Sequence, residues 1–313
     1  MTTAKNQTKY TSIGNRPVRH DGYDKVTGKA QYGADVDLPG LIHGKILRSP
    51  HAHAKIISID TSAAENLPDV YAVITNKDFP AQKDEAVSKI PGPAINLKQQ
   101  TANILAGDKV LYKGHAVAAI AATSAHAAEE ALALINVQYE ILPHVSTVEE
   151  AISEGAPLLH NQYKNNIASH DVLELGDIES GFSQADLIVE REFRTSTVHQ
   201  GYIEPHSATG WWTPSNKITV WGSSQGHFQI RDRTSLVLGV PVSDINVIPM
   251  EIGGGFGGKT TIYLEPVTAL LSKITGYPVK ITMSRSEVLE ATGPTSGSVS
   301  YTHLRAHETD SYL

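Results

Sequence analysis

Apolar runs alternate with polar, glycine-rich stretches along this chain, and their spacing predicts an α+β fold in two parts. Residues 116–122 form an unbroken apolar run, suited to a buried strand. Ser124 stands as N-cap to an alanine-rich helix over 125–135, with Glu129 and Glu130 on its wet side, and residues 137–141 alternate as a strand. Upstream, Lys45-Ile46-Leu47, Lys55-Ile56-Ile57 and residues 70–74 read as strand cores. Residues 79–100 carry Pro and Lys without a clear period and are expected to form a long loop. Ser146-x-x-Glu149 resembles a capping box at the start of a short helix.

The second half begins after an aperiodic stretch over 155–175. Strands are expected over 187–193 and 202–212, and 218–221 returns as a hairpin after the turn at Pro214-Ser-Asn216. A helix over 226–238 is stopped by Gly239 and Pro241, and a strand follows over 245–252. Residues 266–275 form a helix with Val267, Leu270, Leu271 and Ile274 on one face, closed by Gly276 and Pro278, and 279–283 is a strand. The expected division is a flexible start at 1–19, one domain over 20–145, a linker over 146–175 and a second domain over 176–298. Residues 299–313 do not continue the pattern and read as a foreign tail.

With 313 residues and 40% hydrophobic content, the chain can bury two cores. A net charge of −7 with interspersed signs argues against a nucleic-acid or anionic-membrane partner. The absence of cysteine excludes disulfides, thiolate metal sites, cysteine nucleophiles and cysteine-ligated iron–sulfur clusters in this chain. A polar start and the lack of any apolar run of about 18 residues make a cytoplasmic location the expectation.

The sharpest chemical feature is Gly253-Gly-Gly-Phe-Gly-Gly-Lys259. Five glycines in six positions cost much backbone entropy, and a simple turn needs two. Such a loop lets a ligand approach the backbone and lets N–H groups converge on an anion or an oxo group. One reading is a P-loop, because Gly253-x-x-x-x-Gly258-Lys259-Thr260 fits the pattern. Against it, Pro266 would sit deep in the helix such a loop opens, and no later strand ends in an aspartate for magnesium. Other pairs make weaker claims. His51 and His53 point the same way on what reads as a surface strand, Asp35 and Asp37 are alternating loop carboxylates, and His303 and His307 lack a third ligand.

The glycine loop resembles the molybdopterin loop of the xanthine dehydrogenase, aldehyde oxidase and aerobic carbon monoxide dehydrogenase family. Other matches lie in the same order: Gly176-Asp177, Ala185-Asp186, Gly201-Tyr-Ile-Glu-Pro205, Ser223-Ser-Gln-Gly226 and Leu238-Gly-Val-Pro241. The first half resembles the family's a/b hammerhead domain through Asp24-Lys-Val-Thr-Gly28, Arg48-Ser-Pro-His-Ala52, Gly114-His-Ala-Val-Ala118 and 137–143.

The resemblance implies a molybdenum subunit for oxidative hydroxylation of an N-heterocycle or aldehyde, the metal being held through a pterin dithiolene with no direct protein ligand. The cytosine dinucleotide form of the cofactor is left open. It implies a cofactor contact by Gln225, whose amide donates toward the metal's oxo group, and by Gly226, Gly255, Phe256 and Gly257. It implies partners carrying iron–sulfur clusters and FAD, assembled as a dimer of heterotrimers. The family's base glutamate lies beyond residue 313, so Glu204, Glu265, Glu287 and Glu290 are not assigned that role, and this fragment alone is expected to be inactive. Thr260 stands where purine-oxidising members carry a glutamate, which leaves the substrate open. A P-loop nucleotide-binding protein and a non-catalytic cofactor scaffold are the alternatives.

Overall fold

The computed structural model describes residues 13–84, 86–87 and 95–306. The strands are β1 (Ile42–Arg48), β2 (Ala54–Asp60), β3 (Val70–Thr75), β4 (Ala86–Val87), β5 (Ile95–Asn96), β6 (Lys109–Val110), β7 (Ala116–Ala122), β8 (Asn136–Ile141), β9 (Leu187–Thr195), β10 (Ser207–Trp212), β11 (Ile218–Gly222), β12 (Ile245–Pro249), β13 (Val279–Thr282) and β14 (Ser298–Ala306). The helices are α1 (Gly22–Thr27), α2 (Ser62–Glu65), α3 (Leu97–Ile104), α4 (Ala125–Leu132), α5 (Val148–Ile152), α6 (Ile178–Ser183), α7 (His227–Leu238), α8 (Glu265–Thr275) and α9 (Arg285–Ala291).

The main sheet runs β12-β11-β10-β13-β1-β7-β3. It crosses the division expected from the sequence, because Ile42, His43 and Gly44 of β1 pair parallel with Val279, Lys280 and Ile281 of β13. The apolar run of β7 is buried along its whole length because both its faces are covered. Ala118, Ile120 and Ala122 face α4, while Ala119 and Ala121 enter the larger core beneath α8. Separate small sheets pair β6-β2-β8, β4-β5 and β9-β14.

Local signals account for most element ends. The Ser124 side chain accepts from Ala127 N–H at the start of α4. Gly239 and Gly276 close α7 and α8 at φ 65° and 75°, where a Cβ would be strained. Trp212 is buried and Trp211 partly exposed, as alternation on β10 requires.

Several expectations are corrected. The long loop over 79–100 is interrupted by β4, β5 and α3, whose cap is Asn96 accepting from Gln99 N–H at 3.0 Å. Leu97, Thr101 and Ile104 are its buried stripe. The capping box of α5 is Thr147 with Glu150, one residue later than expected, because Thr147 rather than Ser146 accepts the helix N–H. The strand expected over 202–212 starts only at Ser207, since the chain before it, through Pro205, turns toward the glycine loop. Ile274 is 51% exposed; residues 265–272 of α8 are buried more broadly than one stripe, with Thr268, Ala269 and Ser272 also inside. His53 is buried, not on a surface strand, and its Nδ1 lies 2.6 Å from Pro143 O. The boundary expected at residue 298 falls at the start of β14, whose register runs from Ser298↔Thr195 to Ala306↔Leu187. Residues 1–12 of the expected flexible start, and His307 with the rest of 307–313, lie outside the described residues.

Candidate cofactor site

The glycine loop leaves β12 and is held by one side chain at the mouth of α7. Gly257 N–H and Lys259 N–H both donate to Gln225 Oε1, at 3.0 and 3.2 Å, and Gln225 N–H donates to Lys259 O at 2.9 Å. Two N–H donors converging on one atom fix it as the amide oxygen. The Gln225 Nε2 group is therefore the outward end, and it has no partner among the described residues. Gly258 N–H closes on Gly255 O at 2.7 Å, and Thr260 Oγ1 donates to Gly257 O at 3.0 Å. The N–H groups of Gly254, Gly255 and Phe256 have no protein acceptor among the described residues.

Two positions show why glycine is needed here. A Cβ on Gly255 would stand 2.5 Å from Gln225 Oε1, so the loop could not seat on the amide. Gly257 has φ +90° and open space where its Cβ would project, so the backbone itself forms the surface. Phe256 between them adopts φ +48° and is 75% exposed, which excludes a core role for its ring. A non-glycine residue held there costs roughly 1–3 kcal/mol, which the contacts fixing the loop on either side must offset.

Beneath the loop lies a charged pair to which sequence patterns assign no role. Glu204 Oε2 accepts from Gly253 N–H and from Lys259 Nζ, each at 2.7 Å. The Lys259 side chain is completely buried and lies 4.8 Å from the Tyr202 ring centroid. Burial pushes the Lys259 ammonium below its ordinary range, and the Glu204 carboxylate opposes that shift. The Tyr202 hydroxyl lies 2.7 Å from His206 Nε2 and 2.8 Å from Thr292 Oγ1. Burial holds His206 down to about 3, so it is neutral near pH 7. Only Gly201-Tyr-Ile-Glu-Pro205 hinted at this layer, and a pairing across 55 residues has no local signal.

The other three glutamates considered for the base, Glu265, Glu287 and Glu290, are each engaged. Glu265 is fully buried and accepts from Tyr263 and Leu264 N–H, while burial raises its carboxyl pKa. Glu287 binds Arg48 and caps α9, and Glu290 pairs with Lys113. The P-loop reading fails on the same geometry. Lys259 is sequestered by Glu204, the amides of Gly253, Gly257, Gly258 and Lys259 are bound within the protein, and α8 starts only at Glu265. Among the described residues no cluster of three or more His, Cys, Asp or Glu could hold a metal ion. A cleft of about 620 Å³ opens beside the loop, lined by Gln225, Gly226, His227, Phe228, Arg231 and Thr260 among others.

This geometry agrees with what the chain is similar to. The family profile described as "Aldehyde oxidase and xanthine dehydrogenase, a/b hammerhead domain" matches residues 27–143. The profile described as "Molybdopterin cofactor-binding domain" matches residues 159–308. The chain belongs to the xanthine dehydrogenase and aldehyde oxidase family of molybdopterin-binding proteins. It is 33% identical over 280 residues to the xanthine dehydrogenase molybdenum-binding subunit of Escherichia coli O157:H7, covering 88% of this chain and 36% of that protein. It is 33% identical over 281 residues to the nicotinate dehydrogenase large molybdopterin subunit of Eubacterium barkeri, covering 89% of this chain and 63% of that one. The solved structure of reconstituted CO dehydrogenase from Oligotropha carboxidovorans superposes with a TM-score of 0.79 at 31% identity, covering 94% of this chain and 37% of that chain. The chain thus spans between about a third and two thirds of the length of these relatives. No helix among the described residues is long and apolar enough to cross a membrane.

Proposed function

We propose that this chain builds one wall of the cofactor site of a molybdenum hydroxylase, with Gln225, Gly226, Gly255, Phe256 and Gly257 holding the pterin-bound metal. The observation that carries this is the one-sided use of the Gln225 amide: its oxygen is spent on the loop, so its two N–H donors face outward. The N–H groups of Gly254, Gly255 and Phe256, which no acceptor among the described residues takes, add donors on the same loop. A donor set without anionic or thiolate ligands fits an oxygen-bearing centre whose metal is held by its own pterin. When bound, that group supplies two-electron oxidation coupled to hydroxylation. The chain's own part is to orient it by hydrogen bonds and close backbone approach.

The substrate in this reading is an N-heterocycle or an aldehyde. The 620 Å³ cleft beside Gln225 accommodates a small ring, and Thr260 turns its hydroxyl back to Gly257 O rather than offering a carboxylate. None of Glu204, Glu265, Glu287 and Glu290 is free to act as base, which supports a base from outside these 313 residues. These 313 residues hold no cysteine, so the iron–sulfur clusters lie outside them; in this reading one partner carries them and another carries FAD, in a dimer of heterotrimers in the cytoplasm. The cytosine dinucleotide form of the pterin is part of the same proposal.

Gln225→Glu tests the reading, because it keeps the acceptor and removes the donors. In the subunit that carries this chain, loaded and joined to its redox partners, kcat is expected to fall by roughly 10²-fold or more while loop amide exchange stays at the wild-type rate. An unchanged kcat, or a wild-type subunit that takes up no molybdenum and binds magnesium–nucleotide instead, would sink it.

A further inference from the structure

The Glu204–Lys259 pair lies behind the loop, away from the outward face of Gln225, and the proposed chemistry leaves it without a task. A buried ion pair is a weak source of stability, since desolvating two charges offsets most of their attraction. This one is also incompletely satisfied: Glu204 Oε1 is buried and has no hydrogen-bond partner among the described residues. Its value lies in what it fixes. A single carboxylate oxygen takes Gly253 N–H at one end of the glycine loop and the Lys259 ammonium at the other. Glu204 N–H also donates to Gly253 O at 3.3 Å, so the two residues are tied in both directions. A Cβ on Gly253 would come within 2.6 Å of Glu204 Cβ, which makes this approach available to glycine alone.

The tie continues to the metal-facing amide. Lys259 N–H is one of the two donors that hold Gln225 Oε1, and Lys259 O accepts from Gln225 N–H. The segment carrying Glu204 is itself anchored from α9: Arg285 donates to the carbonyls of Tyr202, at 2.7 Å, and of Ile203. We infer that Glu204 and Lys259 are positioning residues that clamp both ends of the glycine loop and thereby hold the Gln225 amide with its donors outward. Shortening or neutralising the clamp frees the loop ends and lets the Gln225 amide rotate, while the sheet and α8 stay intact. The inference rests on the cofactor-site reading for its purpose, but the clamp itself is measurable without any cofactor.

Amide hydrogen exchange and the side-chain NH₂ resonances of Gln225, measured on this chain by NMR, test it directly. Glu204→Gln combined with Lys259→Met removes both charges without leaving either buried alone. Exchange at Gly257 and Lys259 is expected to rise about tenfold or more, as for loss of one or two charge-assisted hydrogen bonds, with α8 amides unchanged and the Gln225 NH₂ pair shifted toward its free position. Glu204→Asp keeps the charge but shortens its reach, and is expected to give a smaller rise in the same amides; it carries the test if the double variant does not fold. Unchanged loop exchange with unmoved Gln225 resonances overturns the clamp, and so does an equal rise in α8, which marks general destabilisation. In the loaded subunit, the double variant is expected to lose molybdenum that the wild type retains. A wild type without molybdenum counts against the cofactor reading alone, since the exchange result stands apart from it.

Discussion

At the scale of single residues, two buried histidines make stability depend on pH. His115 is fully buried; Leu111 N–H donates to its Nδ1 at 3.2 Å, and its Nε2 lies 2.8 Å from Ala102 O. That pairing requires the neutral ring, and burial lowers its pKa to about 4. His206 sits lower still, at about 3. For both, the folded value lies below the unfolded one near 6.5, so the unfolded chain binds more protons between the two values. Their contribution is complete above about pH 6.5 and is lost as pH falls toward 4 and 3. Each should steepen the decline by roughly 1.4 kcal/mol per pH unit between about pH 6 and 4. Urea midpoints measured from about pH 7 to 4.5 should fall accordingly, with a shallower fall in His115→Gln; identical slopes for both proteins would refute the assignment.

At the scale of elements, α8 lies on the sheet at a position only glycine allows. A Cβ on Gly210 of β10 would stand 2.6 Å from Ala269 N and 2.7 Å from Thr268 C, both helix backbone. Helix and strand cannot part locally, because Trp212 N–H also donates to Ser272 Oγ at 2.9 Å. Gly210→Ala should therefore destabilise the protein by on the order of 3 kcal/mol, read as a lower urea midpoint at constant m. A change below about 0.5 kcal/mol would mean the helix stands off the strand. Nothing local encodes this contact: α8 itself is plain from its apolar spacing and Gly276, but no residue near Gly210 names the helix that covers it.

At the scale of the whole molecule, one core joins the two halves. Ile42, Ile46 and Ile74 pack in the same cluster as Trp212, Val267, Leu271 and Ile281. The parallel β1–β13 pairing continues that core through the sheet, where a Cβ on Gly44 would fall 2.6 Å from Ile281 Cγ1. Unfolding should then be a single transition despite two family profiles. All three tryptophans, Trp211, Trp212 and Trp221, lie in the second half, so their fluorescence reports that half while far-UV circular dichroism reports both. The two urea curves are expected to coincide; separated midpoints would show halves that unfold independently.

Features encoded within a few residues of each other were legible from the amino acids alone. The runs behind β7, α4, α7 and α8, the glycine stops, the glycine loop and the family resemblance were all readable, because apolar period and backbone freedom act within a few residues. Which distant groups meet is settled by folding instead. Lys259 of the loop lies 34 residues from Gln225 and 55 from Glu204. The orientation of the Gln225 amide, the sequestration of Lys259 and the sheet shared by both halves depend on those meetings. Their physical source is the burial of one common core, which no local pattern of residues contains.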